Sequence, residues 1–287
     1  MTNQTVGYKA KAFELRNLVF YFLIAFGWSW FMWWLLFISG IITMPTGIGT
    51  SKVDLGSAWP IMLLSVLTPF GPTIGAFVVT GMTEGKPGIR TLWKRFWNRN
   101  LNIKWLIVIL LFFPSMLLVA NLVSRTVDGR AYPFLTWPNQ PWMFIGAFIS
   151  SLLHGGLSEE FGWRGYVLPR FQAKWNALVS SLVLGVIWGV WHLPLIKAGL
   201  SFTNSVTELI LWQMLVAIFF TWVFNNTNGS ILAVVLFHAM ANSSSEIVWC
   251  CGPSPWYFYG VYLFAGILIV IIFGPRNLVR QRHGEKY

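Results

Sequence analysis

The sequence predicts an all-α fold, a polytopic bundle of about eight transmembrane helices with both termini in the cytoplasm. Three observations carry that expectation. The first is composition: of 287 residues, 56% are hydrophobic, 17% aromatic and only 10% charged, where a soluble domain carries roughly 25% charged residues. Such a chain could not cover a water-facing surface. A disordered chain, a disulfide-stapled secreted domain and a soluble nucleic-acid binder are excluded. The second is a series of apolar runs long enough for a hydrocarbon core of about 30 Å, which takes roughly 20 residues of helix. The third is an uneven distribution of Lys and Arg along the chain.

Eight runs qualify in chain order: Leu18–Ile42, Trp59–Met82, Trp105–Val123, Trp142–Leu168, Ala177–Ile196, Val206–Phe224, Ile231–Cys251 and Tyr257–Phe273. The first starts too late, and runs too long, for a cleaved signal peptide, and it lacks a small-residue cleavage pattern. Its Trp28, Trp30, Trp33 and Trp34 face lipid or fill gaps between helices. Trp59, Trp105, Trp142 and Trp256 stand near run ends, where amphipathic rings prefer the headgroup region. The fourth run is interrupted by polar residues after its first apolar stretch. The fifth carries Pro194 near its end. The sixth and seventh are separated by Asn225–Ser230, whose two sequon-like triplets read as a turn. Cys250 and Cys251 are adjacent and cannot staple distant segments.

With the N-terminus inside, the inner segments hold sixteen basic residues and the outer loops only Lys52, Arg125, Arg130 and Lys197. Cytoplasmic loops retain Lys and Arg, so the net charge of +11 is a topology signal, reinforced by anionic lipid. Nucleic acid is not needed to explain it. The chain divides into a cytoplasmic tail (1–17), N-terminal helices (18–130), a second helical region carrying the polar motifs (131–275) and a basic tail (276–287). Oligomeric state is not readable from the sequence.

Ionisable groups at membrane depth cost about 2.5–3.5 kcal/mol each on insertion scales, so each one asks for a role. The residues in question are His154, Glu159, Glu160, Arg164, His192, Glu208, His238 and Glu246, joined by the polar Asn242. Glu160 and Arg164, four apart, face one side of a helix and can pair. Glu159 is rotated by about 100°, and the expectation is that it has no partner at that spacing and stays free. His192 lies in an apolar helix beside Pro194, whose missing N–H frees the carbonyl of Val190. His238 and Asn242 project from one face, with Ala239 and Ala241 leaving room for a neighbouring helix. Glu246 extends that stripe toward the outer interface.

Each feature alone has an ordinary reading: an exposed ion pair, a packing histidine, an interhelical hydrogen bond. Together, a carboxylate pair and two histidines on three hydrophobic helices are what intramembrane hydrolysis requires. A glutamate would take a proton from water, a histidine would orient that water, and a His/Asn pair would stabilise the oxyanion. Glu159, His192 and His238 could instead hold a divalent metal such as zinc, with water in the fourth position. No H-E-x-x-H supports that choice, and neither a G-x-S-x-G nor a lone internal Cys offers a nucleophile. A proton-relay transporter is disfavoured, because no pair of broken, repeated segments is present.

Three motifs in order resemble the CPBP family, which comprises the type II CAAX prenyl proteases and the bacterial Abi or bacteriocin-processing proteins. The family pattern is E-E-x-x-x-R, F-x-x-x-H and H-x-x-x-N. Here it reads Glu159-Glu160-x-x-x-Arg164, then Trp188-x-x-x-His192 with Trp in place of Phe, then His238-x-x-x-Asn242. The Gly162-Trp163-Arg164-Gly165 and Trp191-His192-Leu193-Pro194 runs also look like bacterial members. The resemblance covers roughly residues 140–250. It implies an intramembrane endopeptidase with Glu159 as general base, His192 as its partner on the water, His238 and Asn242 as the oxyanion site, and Glu160 and Arg164 in support. Members are commonly labelled metalloproteases, and a metal-free glutamate mechanism is also proposed for them, so zinc and no cofactor are both open. The implied partners are membrane lipid and a peptide or protein substrate, either a prenylated CAAX peptide or a leader peptide, in a prokaryotic cell membrane. The alternative is a non-catalytic immunity or scaffold protein of the Abi type.

One depth mismatch stands. Counting from the cytoplasmic side, His238 lies about 12 Å deep, Glu159 about 14 Å and His192 about 24 Å. The helix carrying His192 is tilted or bent near Pro194, or enters the membrane later than drawn.

Overall fold

The computed structural model describes residues 12–38, 66–97, 101–129, 142–198, 201, 203, 205–251 and 255–280, with backbone alone at 142–143, 245–251 and 255. Among them there is helix and no strand. Helix α1 (Leu15–Ile38) is followed by a short 3₁₀ turn (Thr68–Phe70) that leads into α2 (Gly71–Phe96), and then by α3 (Ile103–Asp128). The next stretch is compound: α4 (Trp142–Ser151), a π turn (Leu152–Leu157), α5 (Ser158–Gly162), a second π turn (Trp163–Val167) and α6 (Leu168–Gln172). Then come α7 (Ala177–Trp191), the short α8 (Leu193–Lys197), α9 (Val206–Asn226), α10 (Ile231–Cys251) and α11 (Pro255–Phe273). Among the described residues, five stretches are long and apolar enough to cross a membrane: Leu15–Ile38, Ile103–Asp128, Ala177–Lys197, Val206–Asn226 and Trp256–Phe273. The all-α polytopic bundle is therefore observed.

Local chemistry explains the boundaries. The side chains of Asn102, Asn176 and Ser205 accept from the first-turn N–H groups of Lys104, Val179 and Glu208, capping α3, α7 and α9. The α9–α10 turn runs through Asn228 and Gly229 with φ of 53° and 70°, so the triplets there do form a turn. Two expected boundaries are corrected. The second run was drawn as Trp59–Met82, yet the helix continues to Phe96 across a kink at Gly85, whose φ is 65°. Pro87 follows at once, early in the continuing helix, where a missing N–H costs little. The fourth run, drawn as one helix to Leu168, is broken twice into π turns and ends at Gln172.

The helices lie close where side chains are small. A Cβ on Gly189 would stand 3.1 Å from Cα of Ile210, and one on Gly185 would meet the backbone of Gln213 and Met214. This face of α7 therefore lets α9 approach backbone to backbone. At one end of the bundle, Phe13 packs on Phe171 and Trp175, and Arg170 pairs with Glu84 at 3.1 Å. At that same end the N–H groups of Ala177 and Leu178 donate to the carbonyls of Arg276 and Pro275. Asn225 and Asn226 hold the carbonyls of Asn277 and Leu278. Both ends of the described chain thus lie on one side of the bundle, beside basic residues, as the charge asymmetry requires.

Of the four early tryptophans, Trp33 is buried against Trp191, while Trp28, Trp30 and Trp34 are exposed along their outer faces.

Candidate active site

The two glutamates stand on α5, the single α-helical turn between the two π turns. Widened turns of this kind change the phase at which side chains leave a helix and are frequent at functional sites. Glu159 and Glu160 are 4% and 0% exposed. They meet different groups.

Glu160 and Arg164 pair as their spacing predicted, with Nη1 donating to Oε1 at 2.9 Å and both side chains wholly buried. The guanidinium also lies over the rings of Trp188 and Phe220, 4.4 and 4.2 Å from their centroids, a desolvated cation–π arrangement. The same Oε1 is 2.7 Å from Nδ1 of His238. A carboxylate only accepts, so Nδ1 carries the proton. The other ring nitrogen, Nε2, faces Oε1 of Glu159 at 4.0 Å.

Glu159 is not free, which corrects the sequence expectation. Its Oε2 accepts from the indole N–H of Trp163 at 3.0 Å and of Trp188 at 2.6 Å. Trp163 is the residue four positions on. It was missed because the spacing was searched for cations rather than for neutral donors. Trp188 comes from α7: the motif marks its position, but no local spacing ties it to Glu159, 29 residues away.

His192 sits just past the last residue of α7. Its N–H turns back to the carbonyl of Gly189, tightening the final turn. The carbonyl of Trp188 is thereby released to the His192 imidazole, whose Nδ1 donates to it at 2.8 Å. The carbonyl of Trp191, also at the helix end, takes the indole N–H of Trp30 at 3.0 Å. Helix α7 therefore stops just before Pro194. Trp188 is about 17 Å along α7, and helical side chains lean back toward the N-terminus, so its indole reaches the level of Glu159 and His238. The His192 ring folds back to the same indole, with centroids 5.9 Å apart, and His238 lies 5.7 Å from it on another side.

On the α10 side, His238 and Asn242 are approached by Gly155 from the first π turn. A Cβ there would stand 2.6 Å from Nε2 of His238 and 2.7 Å from Nδ2 of Asn242. Ala239 is fully buried, in keeping with the expected close helix approach.

The structure thus brings Glu159, Glu160, Arg164, His192, His238 and Asn242 around one aromatic wall of Trp163, Trp188 and Phe220. Two other residues from the polar set stand elsewhere. Glu208 accepts from the hydroxyls of Thr203 and Tyr259, and Nδ1 of His154 meets the carbonyl of Ser150. The side chain of Glu246 lies outside the described residues.

Among the described residues no group of three or more His, Cys, Asp or Glu is arranged to hold a metal ion. Oε2 of Glu159 is taken by two N–H groups and Nδ1 of each histidine is engaged, so the site turns Oε1 and the two Nε2 atoms toward any ligand.

Residues 140–244 match the family model of the type II CAAX prenyl endopeptidases, Rce1-like. That span contains every residue of the cluster. The CAAX prenyl protease 2 of Methanococcus maripaludis is similar over 210 residues at 27% identity, covering 66% of this chain and 72% of that protein. Over that span the chain is similar to the CAAX prenyl proteases of the CPBP family. It is a CAAX-protease-like membrane peptidase, and as such acts on a peptide substrate. The matched span begins at the compound helix, so α1 to α3 lie outside it. Against the CPBP pattern, the one departure among the motif residues is Trp188 for Phe, and that departure contributes an N–H to Glu159.

Proposed function

We propose that the chain is an intramembrane endopeptidase that cleaves a prenylated CAAX-type peptide near the membrane surface by glutamate chemistry without a metal. The observation that carries this reading is the facing pair Glu159 Oε1 and His238 Nε2, 4.0 Å apart in an aromatic wall, with Glu160 gripping the opposite nitrogen of the same ring. Glu159 takes a proton from a water that His192 holds through Nε2, and the water oxygen attacks the scissile carbonyl. The oxyanion that forms accepts from His238 Nε2–H and from the Asn242 amide. The ring that donates there carries both protons and is flanked by two carboxylates. The proton on Glu159 then passes to the leaving amine as the C–N bond breaks. Glu160 and Arg164 hold His238 in place.

The prenylated substrate is the one named for the archaeal relative, and a leader peptide is the competing substrate class. Among the described residues no three His, Cys, Asp or Glu side chains are grouped to hold a metal ion, and the metal-free form is the one proposed.

The test is cleavage of a fluorogenic farnesylated CAAX peptide by the detergent-purified chain, wild type against Glu159→Ala, each with and without a strong chelator. The expected result is cleavage by the wild type, insensitive to chelator and lost in the variant. Full cleavage by Glu159→Ala would overturn the role of that residue. Loss of wild-type cleavage on chelation would overturn the metal-free form.

A further inference from the structure

The indoles of Trp163 and Trp188 do more than fill space. A carboxylate oxygen offers about two acceptor directions, and both at Oε2 of Glu159 are taken by N–H groups at 3.0 and 2.6 Å. The other oxygen, Oε1, is the one turned toward His238. Trp188 has a second attachment, because its main-chain carbonyl takes the Nδ1 proton of His192 at 2.8 Å. One residue therefore holds both partners of the water-activating pair, one through its ring and one through its backbone. Both indoles are buried, so water does not compete for these bonds. A phenylalanine at 188, as in the family pattern, would keep the wall and lose the bond.

We infer that Trp163 and Trp188 are positioning residues that lock Oε2 of Glu159 and leave Oε1 as the only oxygen that receives the proton of the attacking water. This rests on the reading of Glu159 as general base. In the proton step the water O–H breaks, the proton goes to Oε1, and the electron pair left on the water oxygen forms the new C–O bond. Oε2 keeps its two hydrogen bonds throughout. The tryptophans touch neither substrate nor water.

The experiment uses the full chain in detergent, with Trp163→Phe, Trp188→Phe and the double variant, each made in the wild type and in Glu159→Leu. Two readouts separate the lock from simple packing. With the farnesylated CAAX peptide, kcat is expected to fall about tenfold in each single variant, the scale of a hydrogen bond to a charged group, with KM unchanged within about twofold. In thermal unfolding, Trp188→Phe lowers the midpoint of the wild type. In Glu159→Leu, where the N–H has lost its acceptor, the same change leaves the midpoint unaltered or raises it. Equal lowering in both backgrounds would overturn the lock, since packing alone does not depend on Glu159. Unchanged kcat in the double variant would overturn it as well. Cleavage retained by Glu159→Leu would sink the general-base reading instead, and failure of the wild type on this peptide would sink the substrate reading. In both of those cases the unfolding comparison still decides whether the lock exists.

Discussion

Two regions of the molecule carry carboxylates in apolar helices, and their oxygens meet different chemistry. At the first turn of α9, Glu208 follows Ser205 by three positions. Its N–H donates to the Ser205 hydroxyl at 3.3 Å, and its carboxylate accepts from the hydroxyls of Thr203 and Tyr259. This is a helix start with its capping residue, where negative charge suits the exposed N–H groups. On α5, a single turn enclosed between two π turns, Glu159 and Glu160 meet two indoles, a guanidinium and an imidazole. The same side chain thus meets neutral hydroxyls at a helix start in one place and gathers a cation, an imidazole and two indoles in the other. Membrane depth alone did not tell the two apart. The groups that each carboxylate meets did.

Substitutions can break or sharpen that contrast. The largest effect is expected at Glu159: Glu159→Ala should lower peptide cleavage by about 10²–10⁴-fold, the usual range for losing a general base, as read by the fluorogenic assay. Next is Arg164→Leu, which leaves Glu160 buried without its cation and should cost about 3–5 kcal/mol in denaturant unfolding in detergent. Gly155→Ala should come third. Its Cβ would press on His238 and Asn242, and a displacement near 1 Å costs on the order of 10²-fold in kcat, while single-turnover binding of the peptide stays near normal. Glu208→Gln should be the mildest, about 0.3–1 kcal/mol of stability with cleavage intact. A loss of cleavage there as large as at Glu159 would erase the distinction between the two regions.

Much of the cluster was legible because its signals are short in sequence. The Glu160–Arg164 pair and the His238–Asn242 face follow from helical spacing, and both appear where spacing put them. The membrane bundle followed from composition and basic asymmetry. What escaped reading was of two kinds. Trp163 was within reach, four residues from Glu159, but an indole is weighed as an interfacial anchor before it is weighed as a donor. Trp188 and the His238–Glu160 contact are long-range, separated in the chain and joined only by packing. The breaks in the fourth run escaped for another reason. A π turn keeps apolar character and hydrogen bonding, so its sequence resembles ordinary helix, and only the glycines at 155, 156, 162 and 165 hint at it. The continuation of α2 beyond Met82 was hidden by Gly85 and Pro87, which punctuate a helix as often as they end one.

The joint between the start of α7 and the residues just after α11 has a bearing on biosynthesis. The first N–H groups of α7 are met by carbonyls of Pro275 and Arg276, and the end of α9 is tied to Asn277 and Leu278. Helix α7 carries Trp188 and delivers His192, so its seating in the bundle is completed by the part of this sequence that leaves the ribosome late. A nascent chain halted before residue 275 holds all three motifs yet lacks the clasp that fixes the helix between them. For a hydrolase made inside the membrane it shares with other proteins, that order leaves the start of α7 without these bonds until translation has passed α11.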